Sequence, residues 1–163
     1  MPISRARRMN LIAMAVLLTG LISLIAFHGM VFADRRPDGE VTYGWQVWPE
    51  IWQFITDLDF SDIADLIAAS AFLTSVLLIV VAPFAIPVFR ASRLAWWLAA
   101  IVSGTALTGL TGILVVDYTK EPADAEELGP AFFCLIASQV LNFVGLLFIR
   151  REHSPEQMVA SSP

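Results

Sequence analysis

The segment "LIAASAFLTSVLLIVVAPFAIPVF", residues 66–89, contains no Asp, Glu, Lys or Arg. A helix of about 20 apolar residues crosses the roughly 30 Å hydrocarbon core of a bilayer, because each residue adds about 1.5 Å. Strands of a transmembrane barrel alternate apolar and polar residues, and this segment does not. The segment therefore predicts a transmembrane helix.

Three more stretches, residues 9–32, 94–116 and 130–149, are equally free of charged side chains. The chain is 57% hydrophobic and only 15% charged, against about 45–50% and 25% in soluble domains. We therefore predict one all-α integral membrane domain, a four-transmembrane-helix bundle. The predicted segments are transmembrane helices at about 9–32, 62–89, 94–117 and 129–149, loops at 33–61 and 118–128, and a tail at 150–163.

The basic residues predict the orientation of these helices. Seven of the ten Lys and Arg residues fall at the two termini and in the short turn 90–93, all on one side of the predicted bundle. The positive-inside rule places that side, with the N- and C-termini, in the cytoplasm. Most of the acidic residues fall in the two outer loops, which argues against a nucleic-acid partner.

The first outer loop is predicted to carry a short amphipathic helix at the membrane interface. Trp45, Trp48 and Trp52 are spaced so that they share one face of a helix. Tryptophan favours the headgroup level, because its ring is apolar while its N–H keeps a polar partner. We interpret the three tryptophans as an interfacial anchor, with partner docking as the alternative.

Small and polar residues indicate which helix faces meet. Gly104, Thr108 and Gly112 recur every four residues in the third predicted helix, and such spacing lets transmembrane helices approach closely. Thr105 and Gly109 line the adjacent row of the same helix, and leucine at Gly109 would be the milder change if that row faces lipid. Gln139 and Asn142 of helix 4 are expected to form hydrogen bonds across this face, with a polar substrate path as the alternative. The small or polar residues of helices 1 and 4 that are expected to meet it are Ala15, Thr19, Ser23, Ser138, Gln139, Asn142 and Gly145.

Groups with chemical reactivity are few in the apolar stretches. His28 is the only histidine in them, so we regard it as a weak candidate for a haem or pigment ligand; otherwise we predict no cofactor and no metal. Cys134 is the only cysteine and excludes an internal disulfide or a CxxC pair. We predict no catalytic residues and expect a protein that is not an enzyme.

Taken together, these patterns favour a structural or accessory subunit of a larger membrane protein complex. Its expected partners are the lipid bilayer and other membrane subunits, or further copies of itself. A small oligomeric transporter or channel is the first alternative, and a cofactor-binding subunit or enzyme that uses His28 is the second. The short loops suggest a bacterial inner membrane, with both termini cytoplasmic.

Overall fold

The computed structural model describes residues 5–34, 40–57, 63–120 and 128–150. These residues form α1 (Arg5–Gly29), β1 (Val31–Asp34), β2 (Val41–Tyr43), α2 (Val47–Asp57), α3 (Ile63–Ala91), α4 (Arg93–Lys120) and α5 (Pro130–Phe148). Within them, α1, α3, α4 and α5 are long and apolar enough to cross a membrane. The prediction of a helical bundle with four helices able to cross a membrane is confirmed for the described residues. Residues 121–127 of the second predicted loop and 151–163 of the tail lie outside the described residues.

The four long helices pack as a simple bundle in which successive helices are neighbours. α1 contacts α3 and α5, and α4 contacts the same two helices from the other side. Hydrogen bonds join Asn10, near the start of α1, to Arg150, just beyond α5. Because each helix reverses direction, the arginines at 5–8, 90–93 and 150 lie at one end of the bundle, here named the arginine end.

The α1–α5 seam is the most extensive helix contact of the bundle. Buried residues alternate at spacings of four and three along both helices, as in a coiled coil. Gly20 lets the two backbones approach, since a Cβ on it would lie 3.1 Å from the Ser138 carbonyl oxygen. The buried residues of this seam are Ala13, Leu17, Gly20, Leu24 and Phe27 on α1 and Ala131, Leu135, Ser138, Asn142 and Gly145 on α5.

The inward face of α1 differs from the expected one. Ala15 and Thr19 are exposed, and the Thr19 hydroxyl donates to the Ala15 carbonyl of its own helix. Ser23 does reach α5, where its hydroxyl donates to the Cys134 carbonyl at 2.9 Å. The seam is filled instead by Leu17, Leu24 and Phe27, with Gly20 between them.

A short β-hairpin closes the other end of the bundle, here named the hairpin end. β1 and β2 pair antiparallel, and Ala33 also bridges to Leu128, so the connections before α2 and before α5 are tied together. The sequence pattern did not predict these strands. Two glycines allow the tight approach: a Cβ on Gly44 would overlap the Phe27 carbonyl, and one on Gly129 would overlap the Val31 carbonyl.

Candidate functional site

A buried polar cluster, formed by Ser103, Gln139 and Asn142, lies between α4 and α5. These residues are 0%, 0% and 1% exposed. The Gln139 amide nitrogen donates to the Ser103 carbonyl at 2.9 Å and to its hydroxyl oxygen at 3.3 Å. The Asn142 amide nitrogen donates to the same hydroxyl at 3.2 Å. Because all three residues occupy the middle of their helices, the cluster lies in the apolar middle of the bundle.

Two acceptors of the cluster have no donor. Gln139 Oε1 and Asn142 Oδ1 are buried and accept no hydrogen bond from any described residue. A buried amide without a partner typically costs about 1–3 kcal/mol. Such a pair of oxygens can bind a water molecule, a cation or a polar ligand, but it carries no nucleophile and no base.

Ser138 stands apart from this cluster although it is fully buried. Its hydroxyl donates to the Leu135 carbonyl one turn earlier, at 2.7 Å. Its backbone carbonyl faces Gly20 across the α1–α5 seam. Ser138 therefore acts in helix packing, whereas Asn142 both borders the seam and bonds to α4.

The predicted row Gly104, Thr108 and Gly112 divides between two environments. Gly104 faces α5, where a Cβ would lie 3.3 Å from the Phe143 ring. Thr108 and Gly112 are exposed, and apart from the adjoining residues of α4 no described atom lies within 4 Å of the position of a Cβ on Gly112. The Thr108 hydroxyl donates to the Gly104 carbonyl of its own helix at 2.9 Å. Within the described chain, the row is therefore not one continuous packing face.

Gly109, on the adjacent row, lies against α3. A Cβ on Gly109 would make ordinary contact with the Cβ of Ala71 at 3.5 Å and with Ile67 at 3.8 Å. The contact with α3 turns Gly109 inward, whereas Thr105 of the same row is exposed. The same rotation turns Thr108 and Gly112 outward.

Beyond Gly104, α4 thus presents an exposed row, here named the outward row, which consists of Ile101, Thr105, Thr108, Gly112 and Val115. Its members alternate at spacings of four and three, the same spacing as in the α1–α5 seam. Among the candidate spans of the described chain, the one in α4 has the lowest mean hydropathy. The least apolar span therefore places hydroxyls and a glycine on its outer surface.

The three tryptophans of the first loop also separate. Trp48 packs on the aromatic cluster around Phe27 and Phe72, and its ring centroid lies 5.2 Å from that of Phe72. Trp45 and Trp52 are 54% and 69% exposed. Val47 and Ile51 join Trp48 against the bundle. The packed face of α2 is therefore Val47, Trp48 and Ile51, and the other two tryptophans point away from it.

His28 is held on both ring nitrogens. Its Nδ1 lies 2.8 Å from the Leu24 carbonyl, which can only accept, so Nδ1 carries the proton. Its Nε2 accepts from the Trp48 indole N–H at 2.9 Å, and the two rings stack at 6.1 Å. A haem or pigment could take His28 as a ligand only by displacing Trp48. Among the described residues, no group of three or more His, Cys, Asp or Glu could hold a metal ion.

Sequence reasoning missed Ser103 and Gly20, which organise the polar cluster and the seam. Ser103 directly precedes Gly104, and the four-residue spacing of small residues selected Gly104 instead. Gly20 lay one position beyond the row that was chosen on α1. A search for spacings of four and three, rather than four alone, would have found Gly20.

Comparison of the chain with protein-family models, with curated proteins and with solved structures finds no match.

Proposed function

We propose that this protein is a non-enzymatic structural or accessory subunit of a larger membrane protein complex. In this proposal the outward row of α4 receives a transmembrane helix of a partner subunit. The single observation that carries it is the placement of Thr108 and Gly112 on the exposed side of the least apolar span.

The physical argument concerns how helices associate in lipid. Apolar side chains gain little by leaving lipid for a protein interface, so association depends on close approach and on interhelical hydrogen bonds. Small residues permit that approach, and Gly112 offers open space where a side chain would stand. The Thr108 hydroxyl is already bonded within its helix, so the row favours a partner through its shape rather than through unsatisfied polar groups.

The aromatic residues at the hairpin end support a second contact with the surroundings. Trp48 fixes α2 to the bundle, while Trp45 and Trp52 point outward. Tryptophan rings are stable at the membrane interface. We infer that these two side chains anchor α2 in the interface or dock a partner there.

Crosslinking in native membranes tests the subunit proposal. In a Cys134→Ser background, Thr108→Cys should crosslink to a different polypeptide, and mass spectrometry should identify the same polypeptide after mild-detergent purification. Gly112→Leu should release that polypeptide, because the added side chain fills the space that a partner helix needs. Val80→Leu enlarges another exposed position, on α3, and should retain the partner. Equal retention by both variants, or purification of the chain alone, argues against the proposal.

A small oligomeric transporter or channel is the second candidate, and the buried polar cluster favours it. Gln139 Oε1 and Asn142 Oδ1 lie unpaired at the depth where a polar substrate or cation would cross. In this case Thr108→Cys should crosslink only to a second copy of the chain. Purified protein in liposomes should then release an entrapped polar dye or cation, and Asn142→Leu should stop that release.

A single-ligand haem or pigment at His28 would be visible as an absorption band of the purified protein.

The proposed orientation places the arginine end on the cytoplasmic side of a bacterial inner membrane, since basic residues are retained on that side. Cysteine introduced at Gly39 or Ala123 should react with a membrane-impermeant reagent added to intact cells. Cysteine at Ser92, between α3 and α4, should react only after the membrane is opened. The reverse pattern would contradict the orientation.

A further inference from the structure

A cavity of about 240 Å³ opens at the arginine end, where α3 ends, α4 begins and α5 ends. It is lined by Phe89, Arg93, Trp96, Ile149 and Arg150. Two of these five residues are arginines and the other three are apolar. The cavity thus combines a positive rim with apolar walls, a composition that suits a ligand with an anionic group and an apolar body.

The charge at the rim is not balanced by nearby carboxylates of the described chain. Every Asp and Glu within the described ranges belongs to segments at the hairpin end. Arg93 is also the first residue of α4, where the positive end of the helix dipole disfavours a cation. Both features raise the local positive potential, and an anion in the cavity would lower it.

Arg150 is held in place by Asn10. The Arg150 backbone N–H donates to Asn10 Oδ1 at 2.8 Å, and Asn10 Nδ2 donates to the Arg150 carbonyl at 3.0 Å. This pair of bonds fixes the chain just past the end of α5, so the Arg150 side chain starts from a defined position. Ligands bind more tightly to groups that are ordered in advance, since less freedom is lost on binding.

The apolar wall is ordered as well. The Trp96 indole N–H donates to the Leu146 carbonyl at 2.7 Å, so its ring edge is tied to α5. The Trp97 ring meets it edge-on, with centroids 4.8 Å apart. With its polar atom engaged, Trp96 contributes mainly apolar surface to the cavity.

We propose that this cavity binds the phosphate of an anionic ligand, either the headgroup of an anionic phospholipid or a soluble phosphate compound. Arg93 and Arg150 would contact the phosphate, since guanidinium groups form short, charge-assisted bonds to phosphate oxygens. Phe89, Trp96 and Ile149 would contact the adjoining glycerol and upper acyl chain. Basic cavities between transmembrane helices are recognised lipid headgroup sites.

The test is native mass spectrometry of the full chain in neutral detergent, with phosphatidylglycerol titrated against phosphatidylcholine. The wild type should retain phosphatidylglycerol preferentially. Arg93→Gln and Arg150→Gln should each weaken its binding about tenfold, the loss expected for one charge-assisted bond. Asn10→Ala should also weaken it although no charge changes. Arg8→Gln removes a charge from the same end, outside the cavity lining, and should bind like the wild type.

Further measurements distinguish a phospholipid headgroup from a soluble phosphate compound. Glycerol phosphate that displaces phosphatidylglycerol at similar concentration identifies a soluble ligand, whereas failure to displace identifies the lipid; either result supports a phosphate site. Equal weakening by Arg8→Gln and Arg93→Gln would mean diffuse attraction and would overturn the proposal. So would equal retention of phosphatidylglycerol and phosphatidylcholine by the wild type.

Discussion

The α1–α5 seam and the outward row of α4 have the same spacing and opposite surroundings. In the seam, residues at spacings of four and three are buried, and Gly20 brings two backbones together. In the outward row, residues at the same spacing are exposed, and a Cβ on Gly112 would contact no described atom outside the adjoining part of α4. Small residues at helical spacing therefore indicate that a close approach is sterically allowed, but they do not indicate whether the neighbour belongs to the same chain.

The difference has a simple physical origin. Lipid is as apolar as leucine, so burial alone does not select which helix face turns inward. Bulky neighbours decide instead: Leu17, Leu24 and Phe27 fill the seam around Gly20. The outward row has Ile101 and Val115 at its ends, with threonines and glycine between them, and no described helix covers it.

The largest expected effect on stability comes from replacing glycine by leucine, once in the α1–α5 seam and once in the outward row. Gly20→Leu should lower the stability of the chain by about 1–3 kcal/mol, because its side chain would press on the Ser138 carbonyl and on Leu141. Gly112→Leu should leave the stability of the isolated chain unchanged. Thermal unfolding in detergent measures both. A similar melting temperature for the two variants would remove the distinction between the surfaces.

A smaller loss of stability is expected when a hydroxyl is removed from α4. Two single variants compare its buried side with its exposed side. Ser103→Ala deprives the Asn142 amide of its acceptor in the buried cluster and should destabilise the chain by about 1 kcal/mol. Thr108→Val removes a hydroxyl that bonds only within its own helix and should change the unfolding temperature little. If Thr108→Val proves the more damaging of the two in detergent, the assignment of inner and outer faces of α4 is wrong.

A loss of stability of similar size is expected for the tryptophans of α2. Trp48→Phe removes the N–H that donates to His28 and should cost about 0.5–1.5 kcal/mol, whereas Trp52→Phe should have no measurable effect on unfolding. A double-mutant cycle with His28→Phe isolates the bond. The two losses should be less than additive if the bond is responsible, because either single change already breaks it. Full additivity would assign the loss to packing alone.

Much of the fold could be predicted from the sequence because the bilayer imposes a simple length rule. Each apolar stretch yields a helix whose bounds lie within a few residues of the predicted ones, apart from α1, which ends at Gly29 and gives way to β1. The β-hairpin escaped prediction, since its strands are short and its pairing depends on Gly44 and Gly129 lying against distant carbonyls.

The candidate site was less predictable than the helices. The sequence identified Gln139 and Asn142 as polar residues of the bundle, and the structure places both in one buried cluster. It did not identify Ser103 as their common partner, because a serine inside a helix usually bonds to its own backbone. The His28–Trp48 bond was equally hidden: the two residues are separated by the hairpin, and only its closure brings them together.

The sequence by itself determined that this is a helical membrane protein, since the number and length of its apolar stretches follow from the thickness of a bilayer. Only the tertiary structure decided which way each helix is turned. Rotation of α4 puts Gly109 against α3, Ser103 against α5 and Gly112 outside. Helices rotate to fit the shapes of their neighbours, and those shapes depend on side chains from several helices at once, which no single periodic pattern contains.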